Sequence, residues 1–558
     1  MALTQTRPDA TAAEAEAPTA STTLDGLLGS ADHKTIGRLW IGAGLLFLVA
    51  GLVITAVAGV EAIDLGGYSI VSDGAQFTQV WSLGRDLILF GGLVPLLVGL
   101  ALHLVPLQIG AAAVAFGRGA AGAFWTWLLG VALLVTAYVA NGGPGGGRTD
   151  FVVLWAVALG MTVLGLTWTL VVLATTILGA RTTGMTLERV PFTTWSFLAF
   201  SLVGILGLPV LLAELVLTYV RVRYGFVTLD VTESLTGVVD GSTLAPALYW
   251  VAIPLLGMAA DTIGVHTSAP VKARTPVLIA IGLFGFLAYG ADLVGFASVR
   301  PPAFDNGLLV LAIAAAALPV LAVLGLSAAS IRTGEPRFTA PLVGVLVSLL
   351  VLLLATAASL LGLAEPVALF LERNSIVDID TDKLLILNGT TFHDGIRGLV
   401  VAATVAGIVA ALQHWSPKLW GRRMAAPTVY FAILAAAVGG VLWGAGAILA
   451  GVDDQPAYPA SVLGGGENVE FFNLIALVGI VAVAAGAVLC ALDVARAAFG
   501  ANAPSEKDWR GSTLEWATAS PPTVGNFPSA PVVASATPLL DGDPFAAGAD
   551  EQSENEEA

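Results

Sequence analysis

Residues 87–105 read LILFGGLVPLLVGLALHLV and contain no Asp, Glu, Lys or Arg. An α-helix rises 1.5 Å per residue, so a run of this length nearly crosses the roughly 30 Å hydrocarbon core of a bilayer. Lipid cannot pair exposed backbone groups, and transmembrane β-strands need only ~9–11 residues. The run therefore predicts a transmembrane α-helix.

Similar apolar runs recur along the chain and predict an all-α integral membrane protein with twelve transmembrane helices. They are 39–60, 87–105, 124–140, 151–180, 190–220, 244–260, 276–299, 307–331, 338–364, 395–413, 427–452 and 471–492. We therefore expect a membrane domain over residues 32–498, between two polar tails.

The composition excludes several classes of protein. Of the 558 residues, 56% are hydrophobic and only 11% are charged, whereas an ordinary soluble protein has about 25% charged residues. This excludes a cytosolic globular enzyme and a disordered chain. The net charge of −16 also argues against a nucleic-acid partner. The single cysteine, Cys490, excludes a disulfide framework and a Cys-pair metal site.

The tails and loops predict an orientation. Residues 1–31 are rich in Ala, Thr and acidic residues and lack an apolar core, so we expect a disordered cytoplasmic tail and no signal peptide. Residues 499–558 are polar and end in an acidic stretch that we expect to be disordered. Basic side chains lie in alternate loops, and acidic ones dominate the others, which places both termini in the cytoplasm. The basic set is Lys34, Arg38, Arg118, Arg181, Arg189, Lys272, Arg274, Arg332, Arg337, Lys418, Arg422 and Arg423.

Several short motifs occur in an order that is typical of one family. They include DHKTIG at 32–37, LVPLQIGA at 104–111, GMTL at 184–187, RFTAP at 337–341, WSPK at 415–418 and TLEWAT at 513–518. Together they resemble subunit I of the heme-copper oxidases, of the cytochrome c oxidase type. The resemblance extends from residue 32 to about residue 535 and agrees with twelve helices.

The resemblance implies a metal chemistry that needs six histidines from this subunit. Two ligate a low-spin heme, one ligates the oxygen-binding heme, and three hold a copper, because imidazole is a neutral nitrogen donor that suits both metals. The chain has only five histidines, namely His33, His103, His266, His393 and His414. The count alone excludes the family's complete site.

Alignment of the motifs places other residues at the ligand positions. The heme ligands fall on Gly84, Gly395 and Arg397, and the copper ligands fall on Ala245, Ala291 and Asp292. Only a two-residue gap would bring His393 onto a ligand position. The family's gating glutamate is replaced by Ala247, whereas its tyrosine is retained as Tyr249.

Further family features are missing elsewhere in the sequence. Residues 307–331 contain no Lys, and residues 453–458 lack an Arg pair for heme propionates. The losses have a common explanation if this chain binds no heme, because none of these residues is then needed.

Five charged residues lie in the predicted spans or directly before one of them, and a charge at mid-membrane costs roughly 2.5–3.5 kcal/mol on insertion scales. They are Arg85, Asp86, Glu214, Asp292 and Arg397. We expect Arg397 to pair with an acid, Asp86 first, and to help close the vacated heme space; the alternative is that it lines a water pocket.

Other polar residues leave alternatives open. Asp292 either accepts a hydrogen bond from Tyr249 or Trp250 or is a lone neutral acid. Glu214 is a proton-path residue, a member of an ion pair or a residue at the lipid boundary. We expect His266 to be solvated, and His393 and His414 to lie at the interface without binding a metal.

Three functions remain compatible with the sequence. The first is a member without heme or copper that serves as a structural, assembly or accessory subunit of a respiratory terminal oxidase. The second is a catalytic subunit I with displaced ligands that binds heme and copper. The third is a conductor of protons or small solutes. The resemblance implies a bacterial-type plasma membrane, contact with the lipid bilayer, and partners of the subunit II and III type.

Overall fold

A computed structural model gives the architecture. It describes residues 30–63, 71, 74–144, 146–224, 245–292, 305–362, 368, 387, 389–457, 466–500, 509–542 and 544–545. For residues 75, 245–248, 288–292 and 305–315 it describes the helical backbone alone. The tail before residue 30 and the acidic end after residue 545 lie outside the described part.

The described residues form a bundle of long helices. In chain order they are α1 (His33–Glu61), α2 (Gly74–Asp86, Leu87–Leu93 and Val94–Ile109 in succession), α3 (Gly117–Val139), α4 (Thr149–Gly179), α5 (Phe192–Arg223), α6 (Ala245–His266), α7 (Arg274–Asp292), α8 (Asp305–Thr333), α9 (Ala340–Leu361), α10 (Phe392–Trp420), α11 (Ala426–Val452) and α12 (Val469–Phe499).

The predicted all-α membrane fold is confirmed. Within the described residues, ten helices are long and apolar enough to cross a membrane. Two further long helices, α6 and α7, are not among these ten. Helix α6 carries Asp261, and the apolar part of α7 covers only residues 274–287. The predicted twelve spans are thus confirmed for ten helices.

Helices that follow one another in sequence pack side by side, and α12 returns to pack against α1. The odd-numbered helices begin at one end of the bundle, which we call the basic end because the basic loop residues cluster there. The other end is called the opposite end. Helices α2 and α10 are buried along almost their whole length, as their apolar character on all sides requires.

Helix α2 contains a π-helical segment, Leu87–Leu93, whose seven residues are all buried. A π-turn holds more residues than an α-turn, so it rotates the side chains that precede it relative to those that follow. The segment begins directly after Asp86 and therefore determines which way Gly84, Arg85 and Asp86 face.

The chain beyond α12 packs against the basic end. It contains a 3₁₀ helix, Leu514–Ala517, and a short helix α13, Pro538–Asp541. Leu514, Glu515 and Asn526 are buried. We call residues 509–545 the docked tail, and its polar contacts are described below.

Candidate functional site

A cavity of about 180 Å³ lies between α1, α2, α10, α11 and α12. Its apolar walls include Leu89, Leu93, Val401 and Ile480, and its polar lining includes Thr391, Gln455 and Asn473 towards the opposite end. The described charged residues that line it are Arg85, Asp394 and Arg397.

The two arginines are held in different ways. Arg397 Nη1 donates to Asp394 Oδ1 at 2.8 Å, one turn earlier on α10, and each side chain is 22% exposed. The guanidinium of Arg85 lies over the Trp81 ring, 3.9 Å from its centroid. Such a cation–π contact is favourable where the cation is partly desolvated.

The prediction that Arg397 pairs first with Asp86 was wrong. Among the described ion pairs, Arg397 binds Asp394, whereas the buried Asp86 accepts a hydrogen bond from the Tyr138 hydroxyl at 2.7 Å. The Trp155 indole in turn donates to that hydroxyl at 3.2 Å. Asp86 therefore joins α2 to α3 and α4, because the π segment leaves it facing those helices.

Two of the positions aligned with heme ligands do not line the cavity. A β-carbon at Gly84 would lie 2.6 Å from Thr55 Oγ1 of α1, and one at Gly395 would lie 2.6 Å from the Gly444 carbonyl oxygen of α11. Both glycines thus permit close helix packing. Of the three aligned heme positions, only Arg397 faces the cavity.

The residues around this cavity do not fit a heme. None of the five histidines, all of which lie in the described part, lines it. Its volume is also below the roughly 300–1,000 Å³ of pockets that enclose drug-sized ligands, and a macrocycle would meet the arginine side chains. An imidazole-ligated heme therefore has no ligand among the residues that line this cavity.

The region aligned with the copper site is only partly described. Tyr249 lies in a buried position, where its hydroxyl is 2.5 Å from Ser359 Oγ of α9. The Trp250 indole donates to the Phe200 carbonyl at 2.7 Å, so Trp250 is not a donor to Asp292. The side chains of Ala245, Ala247, Ala291 and Asp292 lie outside the described residues.

Glu214 is half-buried on α5. It has no ion pair or hydrogen bond with any described side chain, and its neighbours Val216 and Leu217 are exposed. Of the three expectations for Glu214, the lipid boundary agrees best with this position.

The histidines concentrate at the basic end. His33 Nδ1 donates to the Leu102 carbonyl at 2.9 Å, so its Nε2 accepts from Asn526 Nδ2 at 3.0 Å. His103 Nε2 donates to the Lys418 carbonyl at 3.1 Å. Each imidazole therefore connects helices through hydrogen bonds in a buried position.

A second pair of histidines is also buried there. His266 Nε2 lies 3.0 Å from His414 Nδ1, and His266 Nδ1 lies 2.8 Å from Thr339 Oγ1. The expectation that His266 is solvated was wrong, and His414 is also fully buried. The docked tail explains both, because Trp509 packs on His266 and Trp516 packs on His414.

The remaining histidine, His393, is exposed near the start of α10. The five histidines are thus divided into two pairs and one separate residue. In the described part, no three residues among His, Cys, Asp and Glu come close enough together to hold a metal ion.

Asn526 of the docked tail connects three segments at the basic end. Its Oδ1 accepts from Lys34 Nζ at 3.0 Å, and its Nδ2 donates to the Ala111 carbonyl at 2.8 Å. Lys34 also pairs with Asp32 at 3.0 Å. Burial alone would raise the pKa of Asp32, but Lys34 holds it below its usual value.

Glu515 is the second buried anchor of the docked tail. Its Oε1 accepts from Gln108 Nε2 at 3.1 Å, and the Gln108 Oε1 accepts from Thr194 at 2.7 Å. Burial, and then the nearby carboxyl of Asp261, raise the pKa of Glu515 to about 7.

This raised pKa predicts that docking of the tail weakens as the pH rises. The docked state keeps its proton up to about pH 7, whereas the undocked acid loses it near its ordinary value of 4.5. The contribution of protonated Glu515 to the free energy of docking is therefore largest below about pH 4.5. It decreases between about pH 4.5 and pH 7 and stays constant above pH 7. Protease protection of residues 509–545 measures this. Glu515→Gln should remove this loss of protection with rising pH, and an unchanged pH dependence would contradict the assignment.

Sequence reasoning missed several of these residues. Tyr138, Asn526 and Glu515 carry buried hydrogen bonds, yet each lies far in sequence from its partner. The only available signal was that Glu515 and Asn526 lie within or beside tail motifs.

Comparisons with known proteins agree with the fold. The family model described as Cytochrome C and Quinol oxidase polypeptide I matches residues 35–482. The chain is similar to the putative cytochrome c oxidase subunit 1-beta of Streptomyces coelicolor, with 24% identity over 91% of this chain and 89% of that protein. It is also similar to the cytochrome c oxidase subunit 1 of Bacillus subtilis, with 25% identity over 92% of this chain and 82% of that protein.

A solved structure shares the same architecture. It is the cryo-EM structure of a heme-copper terminal oxidase dimer, with a TM-score of 0.64 and 13% identity over 88% of this chain and 89% of that one. At this identity the likeness supports the fold alone.

Proposed function

Because the chain belongs to the cytochrome c and quinol oxidase polypeptide I family, we propose that it is a member without heme or copper. In this proposal it acts as a structural, assembly or accessory subunit of a respiratory terminal oxidase complex. It lies in a bacterial-type plasma membrane with both termini in the cytoplasm, next to partners of the subunit II and III type.

The observation that carries the proposal is the use of the five histidines. Four of them, His33, His103, His266 and His414, are buried in contacts at the basic end. A ligating imidazole needs a ring nitrogen directed at the metal, with the other nitrogen held by a second group. Here the rings bind protein groups far from the aligned ligand positions, and only His393 is exposed.

The basic end supports a role in assembly. The motifs that the chain shares with the family build this end, where His33, Lys34 and Asn526 form a buried network. Lys418 Nζ donates to the Thr518 carbonyl of the docked tail. A chain that no longer carries out redox chemistry would keep such a network if the surface at the basic end still contacts other subunits. The partner subunits are thus expected to contact the docked tail.

An optical spectrum tests the proposal directly. The chain is expressed with heme precursor and copper in excess and purified in mild detergent. The dithionite-reduced minus oxidised spectrum should show no heme bands, and metal analysis should find copper well below one atom per chain. Stoichiometric heme or copper would overturn the proposal in favour of a catalytic subunit with displaced ligands.

Purification from native membranes distinguishes the two candidate functions that need no heme, the accessory subunit and the conductor. An accessory subunit should retain other oxidase subunits on a tagged chain, whereas a conductor should purify alone. The conductor reading requires proton flux in vesicles that Asp292→Asn abolishes.

A further inference from the structure

We propose that the cavity between α1, α2, α10, α11 and α12 binds an anionic phospholipid. Its phosphate lies between Arg85 and Arg397, and the upper part of one acyl chain enters the apolar part of the cavity. This inference rests on the proposed function, because a heme in the same space would exclude the lipid.

The charged lining favours an anionic head group. Two arginines and one acid, Asp394, are its described charged residues. A guanidinium has five N–H donors in a fork that matches phosphate geometry, so Arg397 can hold Asp394 and a phosphate oxygen together. Charge-assisted hydrogen bonds of this kind are about twice as strong as neutral ones.

The polarity of the cavity changes along the bundle axis. Helical side chains lean towards the N-terminus of their helix, so Arg85 extends to Trp81, one turn nearer the opposite end. Arg397 lies in the second turn of α10, which begins at the same end. The deeper walls are formed by Leu89, Leu93 and Val401. A phospholipid has the same order, with a charged head at the membrane surface and an apolar chain below it.

The dimensions favour a slender occupant. The volume of the cavity is only about 180 Å³. That space accepts the upper part of one acyl chain. The cavity is half-enclosed, so the rest of the lipid can remain outside it.

Lipid binding can be measured by native mass spectrometry. The delipidated full chain is titrated with dioleoyl phosphatidylglycerol, dioleoyl phosphatidylcholine or inorganic phosphate. We expect one tightly bound phosphatidylglycerol, with phosphatidylcholine about tenfold weaker and no competition from inorganic phosphate. Equal binding of the two lipids would overturn the anionic preference, and displacement by inorganic phosphate would overturn the role of the acyl chain.

Variants test the two halves of the site separately. Arg85→Gln with Arg397→Gln should weaken phosphatidylglycerol binding by about tenfold or more. The matched control is Arg118→Gln with Arg332→Gln, which removes the same charge from exposed positions at the basic end and should change nothing. Ala476→Phe fills the cavity without altering a charge and should also prevent binding, so the test survives if the arginine variant does not fold.

The same preparation distinguishes failure of the inference from failure of the proposed function. A heme band in its spectrum would contradict the proposed function. No heme band together with unchanged lipid binding in both variants would contradict the lipid site alone.

Discussion

Replacement of Asn526 by glycine should release the docked tail from the basic end. The change removes the amide that binds Lys34, His33 and the Ala111 carbonyl. Glycine is the suitable replacement because residue 526 has a φ of +68°, which alanine would adopt only with strain. The effect then reports the lost contacts and not the backbone.

The expected loss is large because Lys34 is only 5% exposed. Removal of a partner from a buried charged hydrogen bond costs about 1.5–3 kcal/mol, and the other two contacts add to this. We expect a total of about 2–4 kcal/mol, which makes the undocked tail at least about 30-fold more populated.

Limited proteolysis of the detergent-solubilised chain measures the release. Cleavage between residues 509 and 545 should accelerate in Asn526→Gly while the helices stay intact. Val524→Ala is the matched control, because this side chain is 80% exposed two residues earlier and should leave the rate unchanged. Equal cleavage rates in all three proteins would show that Asn526 does not hold the tail.

Replacement of Gly395 by histidine should not restore a heme site and should destabilise the bundle. A β-carbon at this position would meet the Gly444 carbonyl at 2.6 Å and the Ile448 nitrogen at 2.8 Å. Both are backbone atoms, so α10 and α11 must move apart. Overpacking of this kind costs about 1–3 kcal/mol for small additions, and an imidazole is much larger than a methyl group.

Two measurements check this prediction. The thermal unfolding midpoint should fall for Gly395→Ala and further for Gly395→His, and neither protein should gain a heme band. Gly42→Ala is the matched control, because a β-carbon at Gly42 meets no atom within 4 Å. This control should be neutral or stabilising by up to ~1 kcal/mol, as alanine is the better helix former. A heme band in Gly395→His would show that position 395 faces the cavity.

The sequence predicts the helices well because each span must satisfy its own backbone in lipid. Length and apolarity are therefore sufficient to locate the run at 87–105 and its counterparts. The same reasoning fails for side-chain partners. Whether Arg397 meets Asp86 or Asp394 depends on helix rotation, and the π segment at Leu87–Leu93 changes that rotation.

The positions of the histidines illustrate a second limit. His266 follows the apolar run of α6 and precedes a turn, a pattern typical of a solvated residue. It is buried because a tail some 240 residues later lies over it, with Trp509 on its ring. The sequence around His266 carries no information about burial by a segment so far along the chain. Alignment with the family motifs shows that the ligand positions hold no histidine. Only the structure shows that Arg397 lines the cavity, whereas Gly84 and Gly395 face neighbouring helices.

The hydrogen bond between Lys34 and Asn526 also constrains the biosynthesis of this chain. The two residues are 492 positions apart, so at ~5–20 residues per second the ribosome needs roughly 25–100 s to supply the partner of Lys34. During that interval the first helix is already made, and its basic end still faces water. Any chain that terminates before Asn526 keeps this end open, which gives proteases a means to distinguish unfinished chains from complete ones.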